Sequence, residues 1–426
     1  MDHFAYRDGR LFGEDVDLVA LAQEHGTPLF VYSAATLREH FNRLQDAFRP
    51  LDPLICYAVK ANANLSVLSL LGKLGAGMDV VSSGELHRAM TAGVDASKCV
   101  YAGVGKTDRD LEIALRAGVC SINVESEEEL QTIATIASRL GVIAPVCVRV
   151  NPNVDANTHR HTTTGIRETK FGIDRDKVPA LFQTHRETPS LDLCGLHVHL
   201  GSPIAEVGPF VKGIGRLLEL TDELESHGAS IRRLDLGGGF AADYQTGHSP
   251  SAAMYADAIV PLLEERVRNG LKIVLEPGRS IAANAGVLLL RVVYRKRSGE
   301  RDFLVLDGGM NILLRPSHYD AFHFAWPAES SSPPPTRCEE PDVEGLERVD
   351  LVGPICETGD FIARDRLFPK CGRGDLVAVF AAGAYGMTMA SHYNAMPLPA
   401  EVMVEGDGAR VIRRRETIED LIALER

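Results

Sequence analysis

Eight times between residues 54 and 278, a short apolar run ends in a polar or glycine-rich corner, usually followed by a helical pattern. The runs are Leu54–Ala61, Met78–Val81, Cys99–Gly103, Ser121–Glu125, Val146–Asn151, Cys194–Gly201, Leu234–Gly239 and Ile273–Gly278. Strands that alternate with helices pair in parallel, because each crossover helix returns the chain to the same end of the sheet. Eight such units over about 225 residues come close to the ~250 of a closed (β/α)8 TIM barrel. An open doubly wound sheet is the rival, but eight evenly built units favour closure. Capping-box patterns at Ser82–Glu85, Thr107–Asp110 and Ser126–Glu129 mark helix starts, and Gly75, Gly93, Gly118 and Gly141 stand where helices would close.

After Ala282 the texture changes to short strand-like runs separated by Gly and Pro corners: Val287–Tyr294, Phe303–Leu306, Arg348–Val352, Leu376–Phe380 and Glu401–Val404. That pattern predicts an all-β domain over residues 283–426, after a barrel over 34–282. Residues 1–33, with Phe30-Val31-Tyr32 as a strand candidate, precede the barrel and are expected to join the β-domain. Ser330–Thr336 reads as a loop by composition.

Composition excludes several classes. A formal net charge of −13 disfavours nucleic-acid backbones, and no run approaches the ~20 apolar residues a membrane span needs. The first residues lack the apolar core of a signal peptide. The eight cysteines form no C-x-x-C pair, and Cys56, Cys147 and Cys194 sit inside apolar runs, as reduced thiols of a cytoplasmic protein would.

The chemistry gathers where the barrel would open. Lys60, Asp79, Arg149, His199, Gly237–Gly239 and Glu276–Arg279 all fall at or just after the C-terminal ends of strand candidates, the end at which TIM barrels build active sites. A lysine there is partly desolvated, which favours the uncharged, imine-forming amine; equally it is a strand-terminal lysine reaching for solvent. Gly237-Gly238-Gly239 lets backbone N–H groups approach an anion, or simply makes a tight turn. Glu276 could hold a protonated ring nitrogen while Arg279 reaches a phosphate or carboxylate; the alternative, a surface ion pair at a turn, is weakened because Glu276 closes the apolar Ile273-Val274-Leu275. His197 and His199 stand two apart, a spacing that can bind zinc, but no third His or Cys accompanies them, and we expect no metal. His199 is instead suited to stacking on a flat cofactor, with Ser202 on a phosphate. Cys356-Glu357, inside Cys356–Asp360, pairs a thiol with an acid in the β-domain, where a buried structural thiol is the ordinary reading.

Together and in order, these motifs resemble the diaminopimelate decarboxylase family of fold-type III pyridoxal-phosphate enzymes. The resemblance runs nearly end to end, from Gly26–Tyr32 and Tyr57–Asn62 through Arg149–Asp155, Lys170–Ile173, His197–Ser202, Leu234–Phe240 and Glu276–Arg279 to Leu314–Tyr319, Cys356–Asp360 and Ala384–Met387. The lysine, triglycine and Glu276–Arg279 motifs are shared with ornithine and arginine decarboxylases, so they specify cofactor rather than substrate. Arg315–His323, Cys356–Asp360 and Gly383–Asn394 point more narrowly to diaminopimelate.

The resemblance implies pyridoxal 5'-phosphate held by Lys60 as a Schiff base, with Glu276 at the pyridine nitrogen and His199 on the ring face. It assigns Ser202, Gly238, Gly239, Gly278, Arg279 and Tyr385 to the phosphate or cofactor, and Asp79, Glu85 and Arg149 to the surroundings of the lysine. Arg279, Arg315, Tyr319, Glu357 and Tyr385 match substrate contacts, and Cys356 matches a proton donor that reaches the site from the other subunit of a homodimer. The implied reaction is decarboxylation of meso-diaminopimelate to L-lysine, the last step of lysine biosynthesis. A β-domain of Greek-key barrel type that recruits the N-terminal strand is the implied fold. Thr358 replaces the usual Ser, the loop Arg160–Gly165 departs from the family pattern, and a Pro-rich insertion follows Trp326. The rivals are a decarboxylase for another basic amino acid or carboxynorspermidine, an alanine-racemase-like enzyme, and a non-catalytic binding protein. Arg315 argues against simple diamine precursors, which have no distal carboxylate.

Overall fold

The computed structural model describes residues 2–154, 169–244, 249–331, 334–335 and 344–426. The Arg160–Gly165 loop, Asp155, Ser332, Pro333, Thr336 and Cys338 lie outside them. The chain divides into two compact units: Phe41–Ala241 with Ser249–Arg279, and Met1–His40 with Ala242–His248 and Ser280–Arg426.

The first unit is the closed barrel. Its strands are Leu54–Ala58, Gly77–Val80, Cys99–Tyr101, Ser121–Val124, Ala144–Asn151, Leu191–His197, Arg233–Asp235 and Lys272–Leu275, one for each of the eight apolar runs. Neighbours pair in parallel, and the ring shuts where Val274 lies against Leu54 and Leu275 against Ile55. A two-residue strand, Ile173–Asp174, adds outside the ring beside Val150 and Asn151. A helix fills each interval between successive strands, from Leu65–Lys73 to Ala252–Arg268. Gly208–Ser226 shows why these helices form: it buries Phe210, Ile214, Leu217, Leu220 and Leu224, a stripe at three- and four-residue spacing. Each such side chain, fully buried, stabilises by about 1.5–3 kcal/mol.

The capping boxes differ in detail. Ser82, Thr107 and Ser126 all cap their helices, but only Thr107 and Asp110 form the reciprocal box. Glu85 and Glu129, one methylene longer, reach one residue further back and accept from the N–H of Val81 and Glu125. Gly118 and Gly141 close their helices in the left-handed conformation, whereas Gly75 and Gly93 fall one residue beyond caps made by Leu74 and Ala92.

In the second unit Leu29–Ser33 runs antiparallel to Gly286–Ser298 on one side and parallel to Ala400–Glu405 on the other. The N-terminal strand is therefore internal to this sheet. Its residues alternate between two cores. Leu29 and Val31 join Val287, Leu289 and Val402 on one face, and Phe30 and Tyr32 join Leu288, Leu290 and Val379 on the other. Burial of both faces explains the unbroken apolar run in place of alternation. The sheet continues through Arg301–Leu306, Leu346–Val352 and Phe361–Pro369, and Gly408–Arg413 forms its other edge. The sequence reading missed Phe361–Pro369, Gly408–Arg413 and the small sheet Phe4–Arg7, Arg10–Gly13 and Val16–Asp17.

Candidate active site

Lys60 sits not in the Leu54–Ala58 strand but in the single turn Val59–Ala61 that leaves it. The turn presents the half-buried ammonium to Asp79, to which Nζ donates. Asp79 is fully buried in the next strand, and its second oxygen has no hydrogen-bond partner. Glu85, half-buried, is spent on the Val81 N–H, and burial pushes its carboxyl up. Arg149, buried at the end of its strand, donates to Glu125 at 2.6 Å and lies 4.7 Å over the Phe171 ring; Glu125 also takes the Gly172 N–H.

Below the lysine is a buried carboxylate pair. The Asn123 amide donates to Asp235 at 3.0 Å and to Glu276 at 3.4 Å. Burial, with the Glu276 charge adding, pushes Asp235 up to about 8; burial and the Asp79 charge push Glu276 up as well. His197 approaches Glu276 to 3.5 Å, but burial depresses its imidazole to about 4. At neutral pH the ring is therefore neutral and the contact is not an ion pair. His197, Asp235 and Glu276 do bring three ligand-type atoms within 4.8 Å of one another, a grouping that the His-x-His spacing alone did not reveal. It joins His197 to two carboxylates rather than to His199.

The triglycine turn is shaped by contact. Gly237 has φ 68° and Gly239 φ 100°, backbone that favours glycine. A Cβ on Gly238 would stand 2.4 Å from the Glu276 carbonyl oxygen, so only glycine fits between that strand and His199. The Gly238 N–H donates to His199 Nδ1 at 3.1 Å, which places the ring proton on Nε2. Burial, with Arg149 and Lys60 adding, holds His199 well below its ordinary value, so it is a neutral, flat face. Arg279, buried, donates from Nε to Ser202 at 3.3 Å, and a Cβ on Gly278 would meet Ala58 at 2.9 Å. These residues suit pyridoxal phosphate: a primary amine, a neutral aromatic face, glycine backbone beside Arg279 and Ser202 for a phosphate, and a carboxylate raised by burial and the Asp79 charge.

Behind the site lies a residue the sequence did not single out. Lys106, fully buried, donates to the carbonyls of Gly103 and Asn123 and to Glu129 at 2.6 Å. Burial lowers its ammonium and raises Glu129. The only sequence signal was a lysine at a strand-to-helix corner.

Arg315, Tyr319, Cys356, Glu357 and Tyr385 belong to the sheet unit. The short helix Arg315–Tyr319 carries Pro316 in its first turn and puts Arg315 and Tyr319 one turn apart. Arg315 is buried, bonded to His323 and stacked 4.7 Å over Tyr244. Tyr385, half-buried, has φ 57° in the tight Gly383–Gly386 turn. Cys356 and Glu357 are exposed, on a loop held by Asp360, whose carboxylate accepts from Met310 and Ile355 at 2.6 Å each. Any side chain on Gly309 or Gly353 would strike that carboxylate. Seven described cysteines are free thiols. Among the described residues no helix is long and apolar enough to cross a membrane.

A family model described as the pyridoxal binding domain of pyridoxal-dependent decarboxylases matches residues 34–283. A diaminopimelate decarboxylase of Pseudomonas aeruginosa is 46% identical over 99% of this chain and 98% of its own length. One from Vibrio cholerae is 44% identical over 100% and 99%. Among solved structures, diaminopimelate decarboxylase from Helicobacter pylori complexed with L-lysine superposes with a TM-score of 0.89 at 37% identity, covering 96% of this chain and 99% of that one.

Proposed function

The chain belongs to the diaminopimelate decarboxylase family of pyridoxal-dependent decarboxylases, and on that premise we propose how its own residues convert meso-diaminopimelate to L-lysine and CO2. The observation that carries the reading is the convergence of Lys60, Asp79, Glu276, His199 and the triglycine turn on the C-terminal end of one barrel.

When bound, pyridoxal phosphate supplies the electron sink for the pair left behind as CO2 departs. Lys60 anchors it through Nζ, and Asp79 orients that nitrogen. Glu276, raised by burial, would ionise beside the protonated ring nitrogen and hold that proton when the cofactor is bound. His199 would offer its neutral face to the ring, and Ser202, Gly238, Gly239, Gly278, Arg279 and Tyr385 would hold the phosphate or cofactor. Arg315 clamps the distal carboxylate, Glu357 takes the distal ammonium, and Tyr319, Tyr385 and Arg279 complete the substrate contacts. Cys356 delivers a proton from Sγ to the carbon that lost CO2. Both charged ends of the substrate are thus read, and a diamine precursor would offer Arg315 no distal carboxylate.

The exposure of Cys356 and Glu357 supports a homodimer in which each chain lends this loop to the other's site. The free thiols fit a cytoplasmic enzyme. The test is CO2 release from meso-diaminopimelate, L-lysine and L-ornithine. Release from the first alone is expected, and none from it would refute the reading.

A further inference from the structure

Cys356 and Glu357 are each held by a residue to which no role has been given. Tyr393–Ala395 forms a single turn in which Asn394 has φ 55° and ψ 27°. Asparagine tolerates that left-handed backbone better than most residues. The turn folds the Asn394 side chain onto residue 356 at two points: Oδ1 accepts the Cys356 N–H at 3.1 Å, and Nδ2 stands 3.2 Å from Sγ. The orientation is fixed by chemistry. A backbone N–H can only donate, so the amide oxygen faces it and the NH2 faces sulfur. One residue earlier, the Tyr393 hydroxyl donates to Glu357 Oε2 at 3.0 Å. Two adjacent residues therefore hold two adjacent residues, on a loop whose base Asp360 already pins.

An exposed cysteine otherwise samples three staggered χ1 wells. A grip on both its backbone N–H and its sulfur leaves one. We infer that Asn394 is the positioning residue that aims the Cys356 thiol, and that Tyr393 does the same for the Glu357 carboxylate. This rests on the proton-donor and ammonium-binding roles proposed above. Confinement to one well is worth about threefold in rate, and a donor misplaced by ~1 Å loses up to ~100-fold.

Asn394→Gly keeps the left-handed backbone and deletes the amide. Asn394→Asp keeps the backbone and the acceptor for Cys356 N–H but loses the donor to sulfur. In the holoenzyme both are expected to lower kcat by ~10–100-fold with KM for meso-diaminopimelate changed less than ~3-fold. Tyr393→Phe should show the opposite split, raising KM by ~5–10-fold with kcat nearly kept. A readout without turnover is iodoacetamide alkylation of Cys356 at one fixed pH, followed on its peptide by mass spectrometry. Freed from Nδ2, the sulfur in Asn394→Gly should react several-fold faster than in the wild type. Wild-type kcat and alkylation in Asn394→Gly, beside a slow Cys356→Ala, overturn this inference alone. A Cys356→Ala variant as fast as the wild type overturns the proton-donor reading and this inference with it.

Discussion

Arg315 donates from Nη1 to His323 Nε2 across 3.0 Å, both side chains buried inside the sheet unit. The other ring nitrogen, Nδ1, faces the Phe380 carbonyl oxygen at 3.0 Å. A carbonyl only accepts, so Nδ1 carries the hydrogen and Nε2 is left as a lone pair for the guanidinium. The backbone of Phe380 thereby sets the tautomer that steadies Arg315. Tyr244 closes the other side, 4.7 Å beneath the guanidinium and edge-on to the His323 ring at 5.5 Å.

Replacing His323 with Leu removes that acceptor from the buried guanidinium of Arg315. A hydrogen bond to a charged group is worth about 1.5–3 kcal/mol, so KM for meso-diaminopimelate should rise by ~10–100-fold, with a smaller fall in kcat. Steady-state CO2 release measures both, and an unchanged KM would falsify the link between His323 and the distal carboxylate.

Gly238→Ala should weaken cofactor retention. The new methyl stands 2.4 Å from the Glu276 carbonyl oxygen, and the strand or the turn must give way. Overpacking of this kind costs about 1–3 kcal/mol in stability. Because the turn also holds His199 through the Gly238 N–H, we expect pyridoxal phosphate to bind at least ~10-fold more weakly. Fluorescence titration of the cofactor-free chain reads this directly; an unaltered Kd would contradict the placement.

The buried carboxylates predict a pH dependence. A group whose folded value is raised stabilises fully below its unfolded value, and that contribution is lost as the pH climbs through the folded value. Asp235 at about 8, with Glu276 raised beside it, should therefore make the cofactor-free chain lose stability between about pH 4 and 8. His197, depressed to about 4, acts oppositely: its contribution is lost as the pH falls from about 6.5 towards 4. Asp235→Asn should flatten the alkaline decline. Urea midpoints at about pH 5, 6.5 and 8 test this, and an equally steep decline in the variant would show that other groups cause it.

Lys106→Met leaves Glu129 without its cation and two strand-end carbonyls without a donor. Breaking a buried pair from one side costs about 3–5 kcal/mol. Lys106→Met with Glu129→Gln should recover part of the loss, because no bare charge then stays buried. Chemical denaturation of the two variants should separate them by at least ~1 kcal/mol.

The barrel was legible in the sequence because each strand is buried on both faces and each helix carries its apolar stripe at helical spacing. Lys60, Glu276 and the triglycine turn could be found because barrel chemistry stands at strand ends. What the sequence hid were polar residues inside strands. Asn123 and Asp235 look like ordinary interruptions of apolar runs until the closed ring turns them onto Glu276. Lys106 was hidden because a buried lysine and a solvated one read alike. Phe361–Pro369 escaped notice because Arg364, Asp365 and Arg366 break its apolar pattern at the middle, where Asp365 has φ 50°. Asn394 could be recognised only once its turn was seen to fold back on Cys356, 38 residues away in sequence.

The internal place of Leu29–Ser33 bears on how the chain is made. Its partners on the two sides are Gly286–Leu289 and Ala400–Val404, so the ribosome releases this strand long before either exists. At about 5–20 residues per second, the wait for the later partner lasts on the order of tens of seconds. Throughout it an unpaired, mostly apolar segment stands open to chaperones and to the same segment on neighbouring nascent chains. Every barrel strand gains at least one partner within a few dozen residues, and only the closing pair, Leu54–Ala58 with Lys272–Leu275, is separated by a long stretch of chain. Translation speed and chaperone supply should therefore govern the yield of the sheet unit far more than that of the barrel.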